Sequence, residues 1–141
     1  MSARSRPSWD EYALELACVA ATRSEDPFQK VGACALDHNN RVIGVAYNGL
    51  ASGMIVDENF WKDRDKRRPY MIHAEANLLS LFKRGEARLL ACTLLPCSSC
   101  ASMIAGYGIT KVVYQTTYER DSKALDIFDF YGIKCEQLTI T

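Results

Sequence analysis

The sequence predicts an α/β protein with three layers, in which helices cover both faces of a five-stranded mixed sheet. The first observation is a pair of strand patterns joined by the turn His38-Asn39-Asn40, which is typical of an antiparallel hairpin. The second is an alternation of helix and strand patterns from His73 onward, which requires crossover connections and therefore parallel strands. Because 141 residues suffice for one core, we expect a single domain over residues 1–141.

The first half of the chain supplies a helix, the hairpin and an insertion. Residues 1–7 are polar and expected to be flexible. Ser8 and Glu11 then form a capping box, and apolar residues recur at helical spacing over residues 9–23. Strands are predicted over residues 31–36 and 41–46. Residues 50–72 form an insertion loop whose mixed charges are more typical of a solvated surface, although a long insertion in a compact domain is often functional.

The second half alternates helices that end at glycine with apolar strands. Leu78, Leu79, Leu81 and Phe82 are expected to be the buried residues of its first helix. The predicted elements are a helix over 73–84 ended by Gly85, a strand over 88–95, a helix over 97–105 ended by Gly106, a strand over 111–115, a helix over 122–131 ended by Gly132, and a strand over 134–138.

Composition excludes several classes of protein. The formal net charge of zero argues against a general polyanion binder, which needs a basic excess, although a small phosphate site remains compatible. The six cysteines do not have the spacing of a disulfide framework, and the sequence after Met1 does not resemble a secretory signal, so we expect a cytoplasmic protein. Residues 89–110 carry no charge, but Pro96 and two glycines argue against a membrane span.

Two short motifs suggest a metal site, His73-Ala74-Glu75 and Pro96-Cys97-Ser98-Ser99-Cys100. His73, Cys97 and Cys100 are three of the four ligands of a tetrahedral zinc ion, and an open fourth position is typical of a catalytic site. Glu75 is then free to move protons. The alternative is a surface histidine with a redox or structural Cys pair. A structural zinc site needs a fourth ligand, however, and the other histidine, His38, lies in the predicted turn.

The predicted helices explain how these residues act together. Both motifs begin a helix, and the positive end of a helix is expected to lower the pKa of the Cys97 and Cys100 thiols. Residues three apart share one helix face, so both sulfurs can bind one ion. The two motifs resemble the signature of the zinc-dependent deaminases, and this resemblance implies hydrolytic deamination, in which Glu75 takes a proton from water and protonates first the ring nitrogen and then the departing ammonia.

Nearly the whole chain, from Ser8 to Leu138, resembles the deoxycytidylate (dCMP) deaminase family of zinc-dependent deaminases, with its three-layer cytidine-deaminase-like fold. The H-x-E and P-C-x-x-C motifs are the signature of these deaminases. The further similar motifs are Ser24-Glu25-Asp26-Pro27 with Val31-Gly32-Ala33, Tyr47-Asn48-Gly49, His73-Ala74-Glu75-Ala76-Asn77, and the pair Tyr114 and Tyr118.

The resemblance implies hydrolysis of dCMP to dUMP, with one catalytic zinc ion per chain. It also implies that Asn48 hydrogen-bonds the deoxyribose, that the Ala74 N–H binds the pyrimidine oxygen, that Tyr118 packs over the base or ribose, and that Ser24 lies near the phosphate.

The chain departs from the family at the phosphate site. Many members carry arginine where Phe28 stands here, so the phosphate contact is expected from Arg23 or Arg120.

The resemblance further implies a homohexamer that is activated by dCTP and inhibited by dTTP. The charged insertion next to Asn48-Gly49 is expected to accommodate a triphosphate effector with its Mg²⁺. Tyr47, Asn48 and Gly49 are the candidate effector residues, although Leu50 stands where the family often has proline.

Two other kinds of function stay open at this point. One is a deaminase of another cytosine nucleoside or nucleotide, or of a base in a polynucleotide, although zero net charge argues against a stable nucleic-acid partner. The other is a zinc-stabilised binding module without catalysis, in which the metal is saturated and Glu75 has no role.

Overall fold

Five strands form the middle layer in the computed structural model of the chain, which describes residues 5–140. They are β1 (Gly32–Asp37), β2 (Val42–Tyr47), β3 (Ala87–Leu94), β4 (Lys111–Thr116) and β5 (Lys134–Gln137). Their order across the sheet is β2-β1-β3-β4-β5. Strand β1 pairs antiparallel with β2 and β3, whereas β3, β4 and β5 are parallel. The predicted five-stranded mixed sheet is therefore confirmed.

Helices cover both faces of this sheet. They are α1 (Trp9–Ala21), α2 (Glu58–Lys62), α3 (Arg64–Arg67), a 3-10 turn (Arg68–Tyr70), α4 (Ala74–Leu79), α5 (Ser98–Gly106) and α6 (Ala124–Phe130). Helix α1 packs on one face, and α4, α5 and α6 pack on the other. The crossover helices α5 and α6 share a face because successive right-handed crossovers that advance across a sheet in one direction stay on the same side. The predicted three layers are confirmed.

The helix α1 lies unusually close to the sheet. Its Ala13, Leu14 and Ala17 pack on buried residues of β1, β3 and β4. A Cβ atom added at Gly32 of β1 would lie 1.9 Å from the Ala17 carbonyl oxygen. The small residues on both elements therefore bring the backbones of α1 and β1 into direct contact. The capping box predicted at Ser8 and Glu11 begins this helix, since each residue's backbone N–H donates to the other's side chain.

The largest difference between sequence and structure is the end of α4. The helix ends at Leu79 instead of continuing to Arg84. The Ser80 hydroxyl donates a hydrogen bond of 2.6 Å to the Asn77 carbonyl, and a serine that bonds to its own helix backbone competes with helix continuation. As a result Leu81 is 54% exposed, and the expectation that it is buried is wrong.

The other predicted boundaries are close to the observed ones. Each strand end lies within one residue of its prediction, and the ends of α1, α5 and α6 lie within two. Gly132 (φ 71°) follows α6 as expected. Helix α5 includes Gly106 instead of stopping before it, and Gly108 (φ 79°) adopts the left-handed conformation that ends the turn.

The insertion over residues 50–72 is more ordered than its charges predicted. It contains α2, α3 and the 3-10 turn, and it leaves and rejoins the domain at a bridge between Gly49 and Ile72. In that bridge the two backbone N–H groups donate to the opposite carbonyls over 3.1 and 2.7 Å. One of its arginines, Arg67, is only 6% exposed, so the prediction of a wholly solvated surface is wrong for this residue.

Three remaining expectations concern the termini, membranes and disulfides. Residues 1–4 of the segment expected to be flexible lie outside the described residues. Within residues 5–140, none of the helices combines the length and the apolar character that a membrane crossing requires. All six cysteines are free thiols.

Candidate active site

His73, Cys97 and Cys100 come together at the start of two neighbouring helices. The His73 Nδ1 atom lies 3.5 Å from the Cys97 sulfur and 3.3 Å from the Cys100 sulfur. The three donor atoms all lie within 4.8 Å of one another. Zinc bonds of about 2.0–2.1 Å to nitrogen and about 2.3 Å to sulfur, at tetrahedral angles, place these atoms roughly 3.6 Å apart. The donors therefore already have nearly the separations that one tetrahedral zinc ion requires.

The local backbone explains why two of these side chains are free to bind an ion. His73 is the residue that caps α4 and Cys97 the residue that caps α5, yet neither side chain forms a capping hydrogen bond. The start of α5 is capped from outside instead, because the Asp121 carboxylate accepts hydrogen bonds from the Ser98 N–H (2.9 Å) and the Ser98 hydroxyl (2.8 Å). These bonds hold the pKa of Asp121 below its ordinary value.

The pKa values of the two thiols shift in opposite directions. The Cys100 thiol donates to the Cys97 sulfur, which is the main reason that the pKa of Cys97 falls to about 4, and His73 stabilises the same thiolate. This hydrogen bond, together with burial, raises the pKa of Cys100. The pKa of Cys97 is thus lowered, as expected, although the Cys100 thiol is the largest cause, whereas the pKa of Cys100 is raised in the metal-free site. A divalent cation bound by both sulfurs would require both thiols to be deprotonated.

Glu75 lies beside this cluster in a buried position. Glu75 is only 3% exposed. This burial raises the pKa of its carboxyl group, and the charge of the neighbouring His73 opposes the shift. Glu75 is not one of the three clustered donors. A buried carboxyl group with a raised pKa can both accept and release a proton near neutral pH. The arrangement therefore places a proton carrier next to a candidate metal site.

The cluster and Glu75 open into a cavity of about 1040 Å³. Ligand-binding pockets range from about 300 to 1,000 Å³, so this cavity has room for a nucleotide. Four of the predicted substrate-binding residues line it together with the cluster, namely Asn48, Ala74, Tyr118 and Arg120.

Asn48 serves the fold as well as the cavity. It is 8% exposed, its Nδ2 donates to the Gln29 carbonyl, and its Oδ1 accepts from the Val31 N–H, both over 2.9 Å. An amide side chain has two donors and two acceptor positions, so one of each is left for a ligand. The structural role of a turn residue and a binding role are therefore compatible at this position.

Two predicted phosphate-binding residues, Ser24 and Arg23, are not among the described residues that line the cavity. The Ser24 hydroxyl donates to the Asn48 carbonyl over 3.0 Å and accepts from the Asp26 N–H over 3.3 Å. Arg23 is exposed, and its guanidinium lies 5.9 Å from the centre of the Tyr47 ring. Tyr47 and Gly49 also lie outside the lining, and the Tyr47 carbonyl accepts a hydrogen bond from Asn77.

Sequence reasoning missed most of the charge around the cavity. Arg64 and Arg68 of the insertion line it together with Lys123 and the predicted Arg120, and none of these four forms an ion pair within residues 5–140. We call these four residues the cationic rim. The mixed sequence of the insertion gave no sign of which charges face inward, because α2 and α3 are too short to show a helical period.

Comparison with known proteins identifies the family. The family described as the cytidine and deoxycytidylate deaminase zinc-binding region matches residues 7–116, a range that contains His73, Glu75, Cys97 and Cys100. The chain belongs to this deaminase family. Human deoxycytidylate deaminase is 30% identical, over 94% of this chain and 84% of its own length, and the mouse protein is 33% identical, over 93% and 80%.

A solved structure agrees with this assignment. The crystal structure of dCMP deaminase from the cyanophage S-TIM5, in complex with dCMP and dUMP, matches with a TM-score of 0.80 at 26% identity. The match covers 96% of this chain and all of the phage chain. Together with the deoxycytidylate deaminases above, it confirms that the chain is a hydrolytic deaminase with the cytidine-deaminase-like fold. The zinc-binding family and the His-Cys-Cys cluster both support Zn²⁺ as its cofactor.

Proposed function

We propose that this deaminase hydrolyses dCMP to dUMP and releases ammonia. The observation that carries the proposal is the buried Glu75 beside the His-Cys-Cys cluster, at a cavity with a cationic rim. The relatives named above are deoxycytidylate deaminases, and the phage protein binds dCMP and dUMP.

His73, Cys97 and Cys100 would hold one zinc ion, which supplies a Lewis acid that makes water nucleophilic near neutral pH. Glu75 accepts the proton that the attacking water loses. It delivers this proton to the pyrimidine ring nitrogen, then takes the second proton of the former water from the hydroxyl group on the ring carbon and delivers it to the departing ammonia as the carbonyl forms. The burial of Glu75 supports this role, because a raised pKa increases the affinity of the carboxylate for the proton in transit.

Three residues would orient the pyrimidine nucleoside. Ala74 is fully buried and lines the cavity at the first position of α4, where a backbone N–H has no helical partner and can donate to the pyrimidine oxygen. Asn48 has an unused donor and acceptor for the deoxyribose hydroxyl. The half-buried Tyr118 provides a flat wall for the base or the ribose.

Arg120 is the predicted phosphate contact that the geometry favours, because it lines the cavity and Arg23 does not. A nucleoside monophosphate carries between about 1.5 and 2 negative charges at neutral pH, and hydrogen bonds between ionised groups are about twice as strong as neutral ones. A cationic rim would therefore favour a nucleotide over a free nucleoside.

The test is an ammonia-release assay over cytosine, cytidine, deoxycytidine, CMP, dCMP, dCTP and a cytosine-containing single-stranded oligonucleotide. We expect the highest kcat/KM for dCMP. Equal or better turnover of deoxycytidine would overturn the nucleotide assignment, and preference for the oligonucleotide would favour a polynucleotide editor. Zinc-loaded protein that acts on none of them would favour the non-catalytic binding module.

We also propose a homohexamer, activated by dCTP and inhibited by dTTP with Mg²⁺, that works as a single domain in the cytoplasm. The candidate effector residues Tyr47, Asn48 and Gly49 adjoin the charged insertion at the Gly49–Ile72 bridge, which supports a nucleotide site there. Six free thiols are consistent with a reducing compartment.

A further inference from the structure

Arg67 is a buried arginine in a surface insertion. Its Nη1 donates to the Asp26 Oδ2 over 2.7 Å, and the two side chains are only 7% and 4% exposed. Burial of two charges is costly, and a hydrophobic pair of similar volume often serves stability as well or better. The presence of this ion pair at the wall of the cavity therefore suggests a role other than stability alone.

Aromatic side chains from two separate segments surround the same guanidinium. Its carbon lies 5.2 Å from the centre of the Phe28 ring and 5.8 Å from the centre of the Trp61 ring. Phe28 belongs to the loop over residues 24–29, whereas Trp61 belongs to α2. Arginine combines ion pairing with stacking on aromatic faces, which lysine does much less well. Arg67 thus joins the insertion to a loop about forty positions earlier in the chain.

The Asp26 side of this junction is connected to the cavity wall. The Asp26 Oδ1 accepts hydrogen bonds from the Phe28 N–H (2.8 Å) and the Gln29 N–H (3.1 Å). The Gln29 carbonyl in turn accepts from Asn48. Asp26, Gln29 and Asn48 all line the cavity. The ion pair therefore fixes the loop that holds Asn48.

The position of the insertion also depends on the contact between Arg67 and Asp26. Helices α2 and α3 and the 3-10 turn pack mainly on one another instead of on the sheet. Arg64 and Arg68, two members of the cationic rim, flank Arg67 in this segment. The Arg67 Nε is buried and has no acceptor within residues 5–140, although Arg67 lines the cavity.

We propose that Arg67 is a positioning residue that latches residues 57–70 onto the 24–29 loop. By joining these segments, Arg67 keeps the part of the cavity wall that contains Asn48 and the part that contains Arg64 and Arg68 at the separation that a nucleotide needs. The identity of that nucleotide rests on the proposed function, whereas the latch itself does not.

Fluorescence can follow the latch without any activity measurement. The chain has two tryptophans, so Trp9→Phe leaves Trp61 as the reporter of insertion docking. In this background we compare Arg67→Met, Arg67→Lys and the control Lys66→Met. Lys66 is the exposed neighbour in α3, does not line the cavity, and loses the same charge. We expect acrylamide quenching of Trp61 to rise at least about twofold in Arg67→Met, to be intermediate in Arg67→Lys and to be unchanged in Lys66→Met.

Steady-state kinetics then separate positioning from chemistry. Arg67→Met is expected to raise KM for dCMP about tenfold, since a loop that is no longer preorganised must be ordered on binding. The change in kcat should be below about threefold, because the latch does not touch the reacting atoms. Lys66→Met should keep both constants. Because the variant loop is ordered only on binding, bound dCMP should reduce Trp61 quenching more in Arg67→Met than in the parent protein.

Arg67→Met leaves the buried Asp26 charge unpaired, and this could prevent the variant from folding. A double variant keeps the test valid in that case. Asp26→Asn combined with Arg67→Met removes both charges, and the asparagine Oδ1 can still accept from Phe28 and Gln29. We expect it to fold with exposed Trp61 and a raised KM. Parental quenching and KM in a folded Arg67 variant would overturn the latch. If the parent protein does not act on dCMP, the quenching series still tests the latch by itself.

Discussion

At the scale of single residues, the buried Glu75 carboxyl group is required for the proposed proton transfer, although its burial costs folding stability. Glu75→Gln keeps the size of the side chain but removes the proton carrier, so turnover should fall on the order of a hundredfold or more. The zinc content should stay at one per chain, because Glu75 is outside the donor cluster. Ammonia release and metal analysis of the purified protein measure the two effects.

In the metal-free proteins the same variant should be no less stable than the wild type. Burial raises the pKa of Glu75 in the folded state, so above the unfolded pKa of about 4.3 ionisation disfavours folding, and glutamine removes this penalty. Calorimetric unfolding at pH 7 tests it. Glu119→Gln, at an exposed position outside the cavity lining, is the matched control and should retain activity. Near-normal turnover in Glu75→Gln would refute the proposed mechanism, and loss of zinc would make Glu75 a ligand.

Asp121 is a second residue with a defined electrostatic role, since it caps the helix that carries Cys100. Its lowered pKa means that the ionised form stabilises the folded state above the unfolded pKa of about 3.9, and that this stability is lost as pH falls through the lower folded pKa. Asp121→Asn should therefore be less stable than the wild type at pH 7, with a difference that shrinks below about pH 4.

Urea unfolding of both proteins between pH 3 and 7 measures this difference. Asp129→Asn is a suitable control, because the exposed Asp129 side chain accepts no hydrogen bond within the described residues. A difference between wild type and Asp121→Asn that stays constant over the whole pH range would show that the Ser98 hydrogen bonds do not depend on the Asp121 charge.

At the scale of secondary-structure elements, the contact of α1 with β1 makes a clear prediction. Gly32→Ala would place a methyl group 1.9 Å from the Ala17 carbonyl oxygen, so α1 has to shift. We expect a loss of roughly 3 kcal/mol in the free energy of unfolding, measured by chemical denaturation. In contrast, Gly106→Ala adds a methyl group in α5 with nothing within 4 Å, and should be neutral or stabilise by up to about 1 kcal/mol. Equal stability of both variants would refute the close approach.

The elements that the sequence predicted well are those whose pattern is long. Strand β3 is an apolar run that follows a charged turn and ends before Pro96, and α1 begins with a complete capping box. The prediction failed for α4, where a single hydrogen bond from Ser80 ends the helix before the apolar pattern ends. It also missed α2 and α3. Their only local signals are the caps Asp57 and Asp63, whose carboxylates accept from Phe60 and Lys66.

Prediction of the site from the sequence was likewise limited to residues in recognisable local motifs. The ligand types and spacing of the two motifs were sufficient to bring His73, Cys97 and Cys100 into one predicted cluster, which the structure contains. The Arg67–Asp26 pair was not predictable in this way, because it joins two irregular segments and depends on tertiary contacts alone. For the same reason, the sequence could not show that Ser24 is not among the described residues that line the cavity, whereas Arg68 lines it.

At the scale of the whole molecule, the proposed regulation requires more than one chain. An effector can shift activity only if it binds one conformation of the oligomer better than another. We therefore expect a hexamer by light scattering and a rate that is sigmoidal in dCMP without dCTP, hyperbolic with it, and depressed by dTTP. Hyperbolic kinetics that ignore both nucleotides, or a monomer in solution, would refute the regulation while leaving the deaminase assignment intact.

The distance along the chain between the donor residues has a consequence for the entropy of the unfolded state. His73 and Cys100 are 27 positions apart, with the whole of β3 between them. An ion held by both acts on the chain as a cross-link, and the entropy model used for disulfides assigns about 3.5 kcal/mol to closing a loop of that length. Chelation should accordingly lower the unfolding temperature of the inactive Glu75→Gln variant as much as that of the wild type. Loss of the ion would then destabilise the folded chain as well as abolish catalysis.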